Sequence, residues 1–155
     1  MQELVEHLIA PVFTSEPDVR YSDGSVVGWL SDPPGGVVQF IKPVKATTDM
    51  ANWLVGPAFA AMDARFPHRT DLTLLLDLKH MVGRSAAARS ILLHSAKVLG
   101  PRFSRMFVVP PTEYPPMYLQ AFQASVRLVR LLGVEITVPG SSRAVVDRYG
   151  IVALR

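Results

Sequence analysis

The chain has 155 residues, of which 49% are hydrophobic and 19% are charged, a composition that fits one globular domain and excludes a disordered chain. It contains no cysteine, which excludes disulfides and cysteine-based zinc sites and agrees with a reducing cytoplasm, where we expect the protein to lie. No apolar run is long enough to span a membrane, and Glu3 and Glu6 lie where a signal peptide would carry positive charge.

The charges are distributed unevenly along the chain, whose net charge is +3. Five basic and ten acidic residues precede Leu78, and eleven basic and three acidic residues follow it, so the two halves carry −5 and +8. Such asymmetry is typical of proteins that have an anionic partner or associate head to tail. Alternatively, the halves interleave in the fold and their charges mix.

The first 50 residues predict a short helix and then antiparallel strands. The helix is expected at Gln2–Ile9, and two runs rich in valine and aromatic residues, at 19–30 and 36–44, are typical of strands. Ser31–Gly36, with the sequence SDPPGG, forms a turn between them, and Asp23-Gly24 marks another. This region is therefore a meander of up to three strands.

A helix follows over Met50–Arg65, with Thr48 and Asp49 available to cap its first turn. Gly56-Pro57 lies inside this helix, and proline removes a backbone hydrogen bond there. We therefore expect either a kink or two short helices.

The second half of the chain alternates strands with helices. Strands are predicted at 71–78, 103–110 and 134–139, and helices at 86–99, 116–132 and 141–149. The run Leu74–Leu78 is apolar on both faces and predicts a central strand, paired in parallel with Phe107–Val109. Successive strand-helix units require parallel pairing through right-handed crossovers. The predicted fold is α/β, a single mixed sheet with antiparallel strands at the N-terminal side followed by parallel strand-helix repeats.

This order of elements resembles the STAS fold of anti-sigma-factor antagonists, the related SpoIIAA-like group and, more distantly, CRAL-TRIO lipid-binding domains. The resemblance covers about 19–151 of a single domain, with 1–18 as an N-terminal extension. Asp77-Leu78 matches an Asp-Leu pair that ends a buried strand in the family, and Arg84-Ser85 stands where the family has Asp-Ser. The resemblance implies a bacterial regulatory module whose serine is phosphorylated by a partner kinase, although Arg84 puts a positive residue where the family has a negative one.

Ser85 has two interpretations that use the same geometry. As the cap of the helix at 86–99, its hydroxyl accepts a backbone hydrogen bond from the first helical turn. As a phosphorylation or anion site, it uses the positive end of that helix together with Arg84 and Arg89. Pro139–Arg143 is a second helix start of this kind, but it lacks the lysine of a phosphate loop.

The sequence predicts no catalytic residue, cofactor or metal site. Asp77, His80 and Ser85 are the three residue types of a hydrolase triad, but no Gly-x-Ser-x-Gly motif presents the serine. The histidines are scattered at His7, His68, His80 and His94, so no pair has metal-ligand spacing on a helix. Nucleic-acid binding is not expected either, because no stacking aromatic residues lie among the arginines.

The helix at 116–132 has two apolar stripes. One stripe should face the sheet and consists of Leu119, Phe122, Val126 and Val129. The second stripe, together with two neighbouring arginines, is a candidate partner surface and consists of Ala121, Ala124, Leu128, Leu131, Arg127 and Arg130. Either the second stripe packs against a neighbouring helix, or it contacts another protein or a second copy of the chain.

These observations predict a non-enzymatic protein-interaction or regulatory module of the STAS-like type, acting in a bacterial signalling or assembly system. The alternative is a domain of the same fold that binds a lipid or an anionic small molecule. A closed core with an exposed apolar patch would favour the module. A cavity would favour the ligand, if it were lined by Trp53, Phe59, Met62 and Phe122.

Overall fold

The computed structural model describes residues 10–112 and 116–154, so the helix predicted at 2–9 lies outside the described residues. The strands are β1 (Val19–Arg20), β2 (Val26–Asp32), β3 (Gly35–Phe40), β4 (Val44–Ala46), β5 (Leu72–Asp77), β6 (Met81–Arg84), β7 (Phe103–Val109), β8 (Ile136–Thr137) and β9 (Val152–Ala153). The helices are α1 (Thr48–Trp53), α2 (Phe59–Arg65), α3 (Ala86–Leu99), α4 (Pro116–Leu131) and α5 (Ser142–Tyr149).

The main sheet has the strand order β1-β2-β3-β5-β7-β8, with β9 paired to β2. β1, β3 and β9 pair with β2 in antiparallel fashion, whereas β3–β5, β5–β7 and β7–β8 are parallel. β5 is central, and Leu72 and Leu75 within it are completely buried. The predicted mixed sheet, with antiparallel strands first and parallel strand-helix units afterwards, is confirmed, as is the parallel pairing of β5 with β7.

The turn between β2 and β3 brings the backbone close to β5. Gly35 has a φ of +154°, and a Cβ atom there would lie 1.8 Å from the carbonyl oxygen of Thr73 on the neighbouring strand. Only glycine fits this approach, because any side chain would overlap the backbone of β5. The glycines of the SDPPGG segment therefore position β3 as well as ending the turn.

The helical segment after β4 is continuous through its proline. A π-helical segment, Leu54–Ala58, contains Pro57 and joins α1 to α2, so the structure has two short α-helices linked without a break. The side chain of Thr47 caps α1 by accepting a hydrogen bond from the backbone N–H of Met50 at 3.3 Å. The predicted caps, Thr48 and Asp49, instead lie in the first turn of α1.

Both faces of the main sheet are covered. One face packs against α1, α2, α3 and α4, with Val38, Val108 and Phe122 among its buried residues. The opposite face packs against α5 and against the segment around Val12, which joins Val27, Trp29 and Leu75 in a second cluster. A small parallel pair of strands, β4 and β6, lies outside the main sheet and was not predicted.

Candidate functional site

An apolar cavity of about 230 Å³ lies between the sheet and the helices that cover its first face. Its floor is formed by β2, β3, β5 and β7, which contribute Leu74, Leu76 and Val108 among other residues. Its roof is formed by the continuous segment from α1 to α2, together with α3 and α4. The cavity is therefore bounded by the elements that build the main core and is partly open to solvent.

Small residues at the cavity wall leave this space unfilled. Gly28 and Gly36 lie in its floor. At Gly28 a Cβ atom would lie only 2.8 Å from a methyl group of Val19, so this glycine permits close packing with β1. A Cβ atom at Gly36 would lie 3.5 Å from the sulfur of Met62, which is ordinary contact distance. Ala61 on α2 and Ala96 on α3 also line the space. The cavity thus results from short side chains on both layers.

Three of the four residues whose place in a cavity wall would favour the ligand line this cavity: Phe59, Met62 and Phe122. Trp53 does not belong to the lining. Its ring instead packs edge-on against Tyr21, with the ring centroids 5.6 Å apart.

One face of α3 extends along the cavity. The residues of this face that line the space are Arg89, Leu92, Leu93, Ala96 and Leu99, a spacing of three and four residues that places them on one side of a helix. Ser125 on α4 and Arg84 at the end of β6 line the cavity as well. Polar groups therefore meet an otherwise apolar wall near the start of α3.

Ser85 caps α3, as predicted. It has an extended backbone conformation, and its Oγ accepts a hydrogen bond from the backbone N–H of Ala88 at 3.0 Å. Ser85, Arg84 and Arg89 are all half-buried. The three residues that the sequence grouped as a phosphorylation or anion site therefore surround the N-terminus of α3, and its two arginines line the cavity.

The two arginines have few neutralising contacts. The Nε of Arg89 donates a hydrogen bond to the Oγ of Ser125 at 3.1 Å, and that hydroxyl donates to the backbone oxygen of Ala121 at 2.9 Å. In the part of the chain that the structure describes, neither Arg84 nor Arg89 forms an ion pair with a carboxylate. The first turn of α3 also contains no acidic residue. This wall of the cavity consequently carries a net positive charge.

The candidate partner surface on α4 is only partly exposed. Leu128 is 49% exposed and Leu131 is 83% exposed, whereas Ala121 and Ala124 are half-buried. Arg127 is exposed. Arg130 donates a hydrogen bond from its Nη2 to the carbonyl oxygen of Ile136 at 2.9 Å. The first stripe of α4 packs on the sheet through Phe122, Val126 and Val129, but Leu119 is 40% exposed.

Asp77 and the predicted second anion site form one structural contact. Asp77 is buried, and its Oδ2 accepts a hydrogen bond from the Oγ of Ser142 at 2.7 Å. The neighbouring Ser141 caps α5 by accepting from the backbone N–H of Ala144 at 3.2 Å. Ser142 and Asp77 are thus paired with each other on the α5 side of the sheet, whereas Ser85 caps α3 on the cavity side.

No group of three or more histidine, aspartate or glutamate side chains within 10–112 and 116–154 could hold a metal ion. Over the same residues, no helix combines the length and apolar character needed to cross a bilayer.

Comparison with known proteins shows the fold. The chain is similar to an uncharacterised protein of the DUF3478 family from Shewanella loihica PV-4, whose crystal structure has a SpoIIAA-like fold. The TM-score is 0.53 and the sequence identity 15%, and the match covers 76% of this chain and 85% of that one. No family model matches the chain, and no curated protein matches it either. The SpoIIAA-like fold that the order of elements resembled is therefore confirmed.

Proposed function

We propose that this SpoIIAA-like domain is a non-enzymatic binding protein that holds an apolar or amphipathic small molecule in the cavity beneath α3. The observation that supports this is the apolar space of about 230 Å³ between the sheet and the helices. Ligand sites in proteins are concave and mostly apolar, with a few polar groups that orient the ligand. Here the polar side chains include Arg84, Arg89 and Ser125 near the start of α3, whereas the carboxylate of Asp18 lies beside β2, where it accepts a hydrogen bond from the backbone N–H of Leu30.

The energetics of packing support a ligand in this space. A molecule that fills the space would remove its apolar walls from water, which favours binding by about 25 cal/mol per Å² of apolar surface buried. Its binding would also stabilise the fold by mass action.

Two adjacent alanines on α2 provide a matched test. Ala61 lines the cavity and Ala60 is exposed. Ala61→Leu should fill part of the cavity, weaken binding of the small apolar probe indole in a calorimetric titration, and raise the free energy of unfolding by about 0.5–2 kcal/mol. Ala60→Leu should change neither the indole titration nor the stability by a comparable amount. If the native protein binds no indole, or if both variants bind it equally, the proposed site is wrong.

The second candidate function is the protein-interaction module that the sequence favoured, in a bacterial signalling or assembly system. Its supporting observation is the exposure of Leu128 and Leu131 beside the exposed Arg127. An exposed apolar surface with a basic neighbour fits association with another protein or a second copy of the chain. Phosphorylation of Ser85 remains part of this proposal, as the resemblance implies.

Sedimentation and pull-down measurements test the second candidate. The double variant Leu128→Asp/Leu131→Asp should keep its fold, because both side chains are already exposed, and should lose a partner or a dimer that the native chain binds. Gln120 and Gln123 are also exposed on α4, so Gln120→Asp/Gln123→Asp is a control for added negative charge. If association is unchanged in the leucine variant, or lost equally in the control, this stripe is not the contact surface.

A further inference from the structure

We propose that the ligand of the cavity is a single-chain anionic amphiphile, a fatty carboxylate of about nine carbons, whose head group is bound by Arg84 and Arg89. This inference rests on the proposed binding function and specifies the chemistry of its ligand. It follows from the placement of the arginines at the cavity wall, the electrostatics of the start of α3, and the volume and shape of the space.

The arginines identify the head group. A guanidinium at an apolar wall loses part of its hydration. The free-energy cost of this desolvation is offset only when the guanidinium donates hydrogen bonds to an anion or to other acceptors. Ser125 supplies one acceptor to Arg89, and no described carboxylate pairs with Arg84 or Arg89. Carboxylates match the planar fork of arginine and accept two hydrogen bonds from it. A carboxylate at the mouth of the cavity would therefore satisfy both side chains.

The electrostatics of α3 favour the same sign of charge. The N-terminus of a helix carries partial positive charge, so cations there are unfavourable and anions are favourable. Arg84 precedes the cap Ser85, and Arg89 lies in the second turn, while the first turn holds no acidic residue. Three sources of positive potential thus converge on one end of the cavity. An anionic head group would be stabilised by all three.

The apolar wall identifies the tail. Along α3 the lining extends from Arg89 to Leu99, which at 1.5 Å per residue is a length of about 15 Å. An apolar cavity of about 150 Å³ accommodates benzene, which has six carbons. In proportion, 230 Å³ accommodates roughly nine carbons. An alkyl chain of this volume is shorter than the lining of α3, so it can lie extended along α3 from the arginines.

Calorimetric titration with a matched pair of ligands tests the head group. Nonanoate and nonan-1-ol have the same chain, but only nonanoate carries a charge. We expect the native protein to bind nonanoate at least tenfold more tightly than nonan-1-ol. The variant Arg84→Gln/Arg89→Gln should weaken nonanoate binding at least tenfold and nonan-1-ol binding less than twofold. Arg84→Lys/Arg89→Lys keeps the charge but loses the planar fork, so its affinity for nonanoate should lie between those of the native chain and the Gln double variant. Arg127→Gln, a change on the exposed face of α4, should retain all of the affinity.

A series of carboxylates from hexanoate to tetradecanoate tests the tail. Affinity should rise with chain length up to about nine or ten carbons and then stop rising. Equal binding of nonanoate and nonan-1-ol, or unchanged nonanoate binding in the Gln double variant, would overturn the head-group assignment while leaving the cavity as a binding site. If the native chain binds none of these ligands and no indole, the proposed function itself fails.

Discussion

The Oγ of Ser142 donates a hydrogen bond of 2.7 Å to the Oδ2 of Asp77, although the two residues are 65 positions apart in the chain. Both side chains are buried. The other carboxylate oxygen, Oδ1, accepts from the backbone N–H of Lys79 at 3.0 Å. Asp77 therefore joins the end of β5 to the start of α5, on the face of the sheet opposite the cavity.

Substitutions at this pair should show that its role is structural. Asp77→Ala removes the acceptor of two donors in a buried position and should lower the free energy of unfolding by about 1–3 kcal/mol. Ser142→Ala should cost less, because one carboxylate oxygen keeps its backbone partner. Urea denaturation of the two single variants and the double variant measures their coupling. Fully additive effects would show that the hydrogen bond contributes nothing, and altered binding of nonanoate would contradict the separation of this pair from the cavity.

Asp23 makes the stability of the β1–β2 turn depend on pH. Hydrogen bonds from the Ser25 hydroxyl and backbone N–H lower the pKa of the Asp23 carboxyl below its usual range. Because the pKa is lower in the folded state, the stabilisation is present above the unfolded pKa of about 3.9 and is lost as pH falls through the folded value. Asp23 is exposed, so the contribution should stay below about 1 kcal/mol.

The measurement compares the native chain with Asp23→Asn by urea denaturation at pH 7 and near pH 3. The difference in the free energy of unfolding should be present at pH 7 and should shrink at the acidic end. Ser25→Ala provides the matched control, because without the hydroxyl the effect of Asp23→Asn at pH 7 should become smaller. A difference that grows towards acidic pH would have the wrong sign for this account.

The sequence predicted the elements that have strong local signals. The bounds of α3 agree because Ser85 supplies a cap and Gly100-Pro101 ends the helical pattern. The central position of β5 agrees because an apolar run without alternation must be buried on both faces. β4 and β6 were missed because strands of three and four residues have too little periodicity, and their pairing depends on tertiary contact.

The cavity could not be predicted in the same way. Gly28, Gly36 and Ala61 are ordinary residues in their own segments, and only packing brings them around one space. The proposed site for the ligand tail therefore depends on the gap between the sheet and the helices and not on any sequence motif. The sequence did suggest the residues proposed to bind the head group, since Arg84 and Arg89 flank a capping serine. It could not show that these two arginines lie at the wall of the cavity.

Substitutions at Ser85 distinguish the structural role of the start of α3 from its proposed role in binding the head group. Ser85→Ala removes the acceptor for the backbone N–H of Ala88 and should lower the free energy of unfolding by about 1 kcal/mol. Ser85→Asp should retain that stability, because aspartate also caps and its charge suits both the helix N-terminus and the arginines. The same negative charge should weaken nonanoate binding severalfold, since it occupies the positive potential that the head group needs.

Ser141→Asp, at the cap of α5, is the control and should leave nonanoate affinity unchanged. If Ser85 is a phosphorylation switch, Ser85→Asp should alter partner binding more than Ser85→Ala does. Thermal melts measure the stability of these variants, and calorimetry measures their nonanoate binding. An unfolded Ser85→Asp protein would contradict the assignment of Ser85 as an exposed cap. Undiminished nonanoate binding in a folded Ser85→Asp protein would contradict the anion site.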